Sequence, residues 1–299
     1  MEATYIPAFT LGSLTPVAAP ARPAAPPTTP NFINDIAAGK VELPTMPRVL
    51  SKLMSALRRD DVDARSLGEL LAQDPVLSSK VLRLANSSFF GGQRSMASIE
   101  AAVALIGVTA LQRLVVACGV SASFSEVPGI DLPVFWRDAL VAATAAAGLA
   151  GRLGADADEA YTCGLLHGTG HLILCRTYPE IAEAMFTGFE TVRGDALAQV
   201  ERDAFGIDHP TVSALWVDTL GFPLGVVDTI RRAARPPAAE DGPPDLALQA
   251  ARALVQAVAA GDGADAAWAA LPEPVRARVA ADAAFATLYE ALRATEPSF

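Results

Sequence analysis

Gly164-Leu165-Leu166-His167-Gly168-Thr169-Gly170-His171 lies between two apolar helical segments. Gly168 and Gly170 stand between its two histidines, so the stretch reads as a turn joining two helices. In a turn, the i, i+4 spacing of His167 and His171 does not by itself place two imidazoles on one helical face. The glycine pattern is not a phosphate-binding loop, because no Gly-Lys-Ser/Thr follows it and no strand pattern precedes it.

On either side the apolar periodicity is helical. Leu50, Leu53, Met54 and Leu57 recur at i, i+3, i+4, i+7, as do Leu111, Leu114, Val115 and Cys118; Leu77, Val81, Leu84 and Ala85 form a similar stripe. Ser66 before Leu67-Gly68-Glu69 has capping-box spacing, Asp74-Pro75 puts proline at a first helical position, and Ser98 precedes Ile99-Glu100 as a cap. Ser125 to Leu132 breaks the pattern into two lobes. The second opens with Phe135-Trp136-Arg137-Asp138 and the small-residue run Ala142 to Gly151, expected to be a closely packed central helix. Further helices are expected at about 180–190, 195–205, 209–220, 223–234, 246–260 and 273–294, with a loop from Arg235 to Pro244. No sustained alternation calls for a strand, and no 20–50-residue repeat suggests a solenoid. The expected fold class is all-α.

The chain has 299 residues, 52% of them hydrophobic, enough for one large domain or two small ones. A formal charge of −10 argues against a broad nucleic-acid footprint. Cys118, Cys163 and Cys175 lie in apolar helical patterns without CxxC spacing and read as reduced, buried thiols; Cys163, four residues before His167, reads as packing rather than nucleophile. A membrane span needs about 20 apolar residues. Ala139–Gly151 is too short and is flanked by Asp138 and Arg152, while Ala3–Ala21 holds Pro7, Gly12, Pro16 and Pro20, so neither reads as a span or a signal peptide. Residues 1–30, with six prolines from Pro16 to Pro30, read as a flexible tail.

Several segments, in order, resemble the HDOD family, the HD-related output domain of bacterial signalling proteins. They are Leu43-Pro44-Thr45-Met46-Pro47, Asp74-Pro75-Val76-Leu77 running to Asn86-Ser87, Ser98-Ile99-Glu100-Ala101-Ala102 and Leu105-Ile106-Gly107. The resemblance runs from about Leu43 to Ala260. It implies a two-lobed helical domain over 31–260, with lobes at about 31–126 and 131–260, and leaves 261–299 as a C-terminal helical extension. It also implies a regulatory output role without catalysis, in a family related to HD-type metal phosphohydrolases.

Such phosphohydrolases gather histidines and aspartates around a cation that lowers the pKa of bound water. By that resemblance, Asp138 stands where the family often has histidine, and His167-Gly168 matches the His-Asp pair with its carboxylate missing. His209 keeps a histidine, Arg231 and Arg232 occupy positions often held by histidine, and Arg252 falls at or beside a lost aspartate. Arginine stays protonated and cannot ligate. Two unit charges 4 Å apart repel by about 4 kcal/mol at an effective dielectric near 20. The expectations are therefore no catalytic residue, no metal and no cofactor, with Arg231 or Arg232 replacing the cation and pairing with Asp138.

The function expected is a cytoplasmic, non-catalytic signalling module that binds a protein partner, with a homodimer left open and no nucleic-acid or membrane partner. Two rivals remain: a degenerate phosphohydrolase using His167, His209 and Asp138, and a sensor of anions or nucleotides that uses Arg231, Arg232 and Arg252 as contacts.

Overall fold

The computed structural model describes residues 30–45, 69, 71, 75–86, 98–186, 195–238 and 240–295. The Leu50–Leu57 stripe, the Ser66 cap and residues 1–29 lie outside them. Among the described residues every regular element is a helix: α1 (Phe32–Ala37), α2 (Pro75–Ala85), α3 (Ile99–Ser121), α4 (Leu132–Leu153), α5 (Ala157–Leu166), α6 (Thr169–Thr177), α7 (Pro179–Phe186), α8 (Asp195–Phe205), α9 (His209–Thr219), α10 (Leu224–Arg231), α11 (Pro243–Ala260), α12 (Ala264–Ala269), α13 (Glu273–Arg276) and α14 (Ala283–Arg293).

Local chemistry sets many of the boundaries. Pro75 opens α2, and Ser98 Oγ accepts the Ala101 N–H at 3.2 Å to open α3. The stripe Leu111, Leu114, Val115 and Cys118 is wholly buried on α3, which kinks at Gly107. Asp131 caps α4 through the Val134 N–H, and Asp208 caps α9 through the Thr211 N–H. The single pattern expected at 273–294 is divided between α13 and α14. Asp282 accepts the Phe285 N–H at 2.8 Å and so starts a new helix, while Arg152 of α4 grips the same carboxylate at 2.9 and 3.0 Å. The short α12 falls within the expected C-terminal helical extension, although its run Ala264–Ala269 offers no apolar period to read.

The helix α4 is the axis, packing most extensively on α5 and α11. It has length and composition enough to cross a membrane, yet its side chains from Trp136 to Leu153 are largely buried within the helical body. One core cluster runs from Phe32 through α3, α6 and α9 to Leu248, continuous across the expected break between lobes. A second joins α4 residues such as Val141, Ala145 and Leu149 to Leu254, Leu271, Val275, Phe285 and Tyr289. Residues 264–293 are thus helical as expected, but they share a core with the central helix and are not an appendage to it.

Close approach of backbones explains two glycines of the opening stretch. A Cβ on Gly164 would stand 2.6 Å from the Ala142 carbonyl oxygen, where α5 crosses α4. A Cβ on Gly170 would fall on the His209 carbonyl oxygen and 2.6 Å from the Ser213 nitrogen, where α6 crosses α9. A Cβ on Gly168 meets only the Phe135 ring, at 3.5 Å, an ordinary contact. Gly170→Ala is therefore expected to destabilise by about 3 kcal/mol, and Gly168→Ala by less than about 0.5 kcal/mol. Thermal unfolding of the two variants checks the contrast; equal melting temperatures would contradict the crossing geometry.

Candidate functional site

The sequence from Gly164 to His171 forms the expected helix–turn–helix. Its α5 ends at Leu166, His167 and Gly168 make the turn, and α6 starts at Thr169. Ser213 of α9 fastens the turn: its hydroxyl donates to the His167 carbonyl at 2.8 Å and accepts the Gly170 N–H at 2.7 Å. Thr169 Oγ1 donates to the Leu166 carbonyl at 2.8 Å. The turn is held by hydrogen bonds at each step, so the His167 ring has a fixed starting point.

Beside the turn lies a buried carboxylate that sequence reading passed over. Glu201 of α8 is 0% exposed. Its Oε1 takes His171 Nδ1 at 2.6 Å; its Oε2 takes His209 Nδ1 at 2.6 Å and the His209 backbone N–H at 2.7 Å. The last bond satisfies one of the open N–H groups at the start of α9, where a negative charge is favoured. Burial works against ionisation of Glu201, but the charge of His209 and the hydrogen bonds from both histidines outweigh it and lower its pKa to about 2. Burial likewise disfavours protonated His171, yet Cys175, with its sulfur 3.8 Å from Nε2, and the Glu201 carboxylate raise its pKa to about 10. The pair is a buried ion pair, with the His209 backbone N–H as a third donor to the same carboxylate. The available signal was position: Ala198, Glu201, Ala204 and Phe205 share one buried stripe of α8, and Glu201 is the charged member.

His167 differs. Its Nδ1 lies 2.8 Å from the Gly164 carbonyl oxygen and must donate to it. Burial, then the positive charge of Arg252 and of His209, lower its pKa to about 3, so the ring is neutral and its lone pair sits on Nε2.

The three histidines, His167, His171 and His209, line a cavity of ≈ 200 Å³ that also takes in Phe135, Asp138, Gly168, Arg252 and Gln256. Of the arginines expected there, Arg252 lines the cavity and also donates to the Ala233 carbonyl. Arg231 and Arg232 do not line it. Arg231, 47% exposed, pairs with Asp228 at 2.7 Å; Arg232 forks onto Asp245 at 2.9 and 3.2 Å. Asp138 takes the guanidinium of its neighbour Arg137 at 2.8 and 3.1 Å. The expected pairing of Asp138 with Arg231 or Arg232 is therefore corrected: the end of α10 turns both arginines toward acids at its own surface and at the start of α11. Cys163, buried, has its thiol pushed up to about 12, chiefly by burial, so it is no ready nucleophile.

Among the described residues no group of three or more His, Cys, Asp or Glu side chains is arranged to hold a metal ion.

The HDOD domain family matches residues 43–236. This chain belongs to the HDOD domain family. An uncharacterized protein of Treponema pallidum (strain Nichols) is 27% identical over 192 residues, which span 64% of this chain and 37% of that protein. The chain thus spans well under half the length of that relative. Among solved structures, a candidate phosphohydrolase from Shewanella amazonensis SB2B has a TM-score of 0.69 at 25% identity, covering 88% of this HDOD chain and 96% of that one. An HDOD domain protein of unknown function from Geobacter sulfurreducens gives 0.60 at 25% identity, covering 74% of each chain. The first likeness covers more of the chain than residues 43–236 alone, so the helices beyond the family match are not peculiar to this HDOD protein.

Proposed function

We propose that this HDOD chain is a non-catalytic, cytoplasmic regulatory module that acts by contact with a protein partner, and that its ancestral metal site has been dismantled. One observation carries the reading: the buried Glu201 carboxylate is engaged by three N–H donors, from His171, His209 and the His209 backbone, and is thereby committed within the protein. The donor set does not fit a divalent ion. Gly168 offers no side chain, and the guanidinium of Arg252 lines the same cavity. Membership of the HDOD family fits a regulatory role.

The enzymatic alternative has one footing, the candidate phosphohydrolase from Shewanella amazonensis that shares this fold at 25% identity. A phosphodiesterase assay of the purified chain in excess Mn²⁺ separates the two. The expected result is no turnover above the metal-only blank. Turnover that disappears in His167→Ala and His209→Ala would establish the enzyme. The protein-contact part is tested by affinity capture from the native host, where a partner retained equally by wild type and His167→Ala is expected. Capture of no protein at all would remove that part.

A further inference from the structure

A second cavity, of ≈ 250 Å³, is lined by α3, α5 and the turn into α10, and shares no residue with the His167 cavity. Val116, Phe222 and Val226 give it an apolar wall. Beside that wall is an ion pair engaged on one side only. Arg113 Nε and Nη2 both donate to Asp158 Oδ1, at 3.1 and 2.8 Å. Arg113 Nη1 and Asp158 Oδ2 make no hydrogen bond among the described residues. Glu159, exposed and next along α5, has no ion-pair partner among them. Thr162 Oγ1 donates its hydrogen to the Asp158 carbonyl at 2.9 Å, so toward the cavity it has only lone pairs to offer.

Tyr161 lines the same cavity and is 3% exposed, with the Arg113 guanidinium 5.2 Å over its ring. Burial pushes the pKa of its hydroxyl up, so the group keeps its proton. That hydroxyl has no hydrogen-bond partner among the described residues, and an unmet buried hydroxyl is unfavourable.

These groups make two demands on an occupant. Asp158 Oδ2, Glu159 and Thr162 want a cationic donor; Arg113 Nη1 and the Tyr161 hydroxyl want an anionic acceptor. A phosphate would set its charge against two carboxylates with one guanidinium to offset them. A plain amine would leave the donors unmet. A zwitterion with an apolar body satisfies both demands and the wall. Size agrees: a cavity of about 150 Å³ is enough to hold benzene.

We propose that this cavity binds a free apolar α-amino acid of the leucine or valine kind. Its ammonium lies among Asp158, Glu159 and Thr162, its carboxylate takes Arg113 and the Tyr161 hydroxyl, and its side chain lies on Val116, Phe222 and Val226. Because α3 precedes the Ser125–Leu132 stretch and α5 and α10 follow it, the occupant touches both sides of that stretch. The site is independent of whether the His167 cavity holds a metal.

The test is thermal shift and calorimetry on the full chain with L-leucine and L-valine at millimolar concentration, beside isoamylamine, which lacks the carboxylate, and isocaproate, which lacks the ammonium. A ligand that binds the folded state raises its melting temperature. The expected result is a rise with at least one amino acid and little or none with the amine or the acid alone. Glu159→Lys, an exposed change, should melt within a few degrees of wild type and lose the shift. Tyr161→Phe removes a hydroxyl without a partner, so it should melt no lower than wild type and bind the amino acid about tenfold more weakly. The shift should persist in His167→Ala. No shift with either amino acid overturns the inference and leaves the reading of the His167 cavity intact. Equal binding of isoamylamine or isocaproate overturns the choice of a zwitterion. A shift that survives Glu159→Lys and Tyr161→Phe unchanged, or that disappears in His167→Ala, overturns the placement.

Discussion

Replacing Glu201 with alanine is expected to lower stability by about 3–5 kcal/mol, the usual consequence of breaking a buried ion pair from one side, and to reduce the melting temperature by roughly 10 °C or more. The loss leaves His171 Nδ1, His209 Nδ1 and the His209 backbone N–H without their acceptor in a buried place. Glu201→Gln keeps the shape but can offer only one oxygen, so it should fall between wild type and alanine. The same carboxylate gives the protein a pH signature. His171 has a folded pKa raised to about 10, so its stabilisation is complete below the unfolded value of 6.5 and fades as pH rises through about 10. Glu201 has a folded pKa lowered to about 2, so its stabilisation is complete above 4.5 and fades as pH falls through about 2. The pair contributes most between 4.5 and 6.5. Chemical denaturation of wild type and Glu201→Gln across pH 5–10 should show wild type losing more stability on the alkaline side. Parallel profiles would contradict the ion pair.

A chain ending at Ala260 is expected not to fold stably. It would lack Leu271, Val275, Val279, Phe285, Tyr289 and Leu292, all buried. At about 1.5–3 kcal/mol for each large apolar side chain, the six amount to about 9–18 kcal/mol, comparable to the roughly 5–15 kcal/mol by which a whole domain is stable. The face of α4 bearing Val141, Ala145 and Leu149 would be uncovered along with Leu254 of α11. The grip of Arg152 on Asp282 and the Trp268 indole bond to the Val279 carbonyl would go too. Circular dichroism and limited proteolysis should show loss of a cooperative transition and rapid digestion; a truncated chain melting within a few degrees of the full one would sink the two-core description. The consequence for function is practical, because a partner lost on such truncation has not been mapped to the C-terminal helices.

The helices were readable because their evidence is periodic and local. Leu111, Leu114, Val115 and Cys118 are all buried on one face of α3, and Ser98 caps that helix as its side chain predicts. The turn at His167-Gly168 was readable from its glycines. What sequence could not supply was direction across the chain. Arg232 finds Asp245 thirteen residues on, and no spacing rule distinguishes that partner from Asp138. Glu201 was hidden for a related reason: its two imidazole partners are eight and thirty residues away and come from different helices. A carboxylate on an otherwise apolar stripe was its only local sign. Gly170 was readable as a turn residue, but the reason it must be glycine, the His209 backbone against it, belongs to the packing of α6 on α9.

Our central proposal is that an internal ion pair around Glu201 stands where related phosphohydrolases hold a metal. Its most direct test is calorimetric titration of Mn²⁺ into chelator-treated protein at neutral pH. The account predicts no saturable binding heat and an unchanged melting temperature. Stoichiometric Mn²⁺ binding that raises the melting temperature and is abolished by His167→Ala or His209→Ala would contradict it.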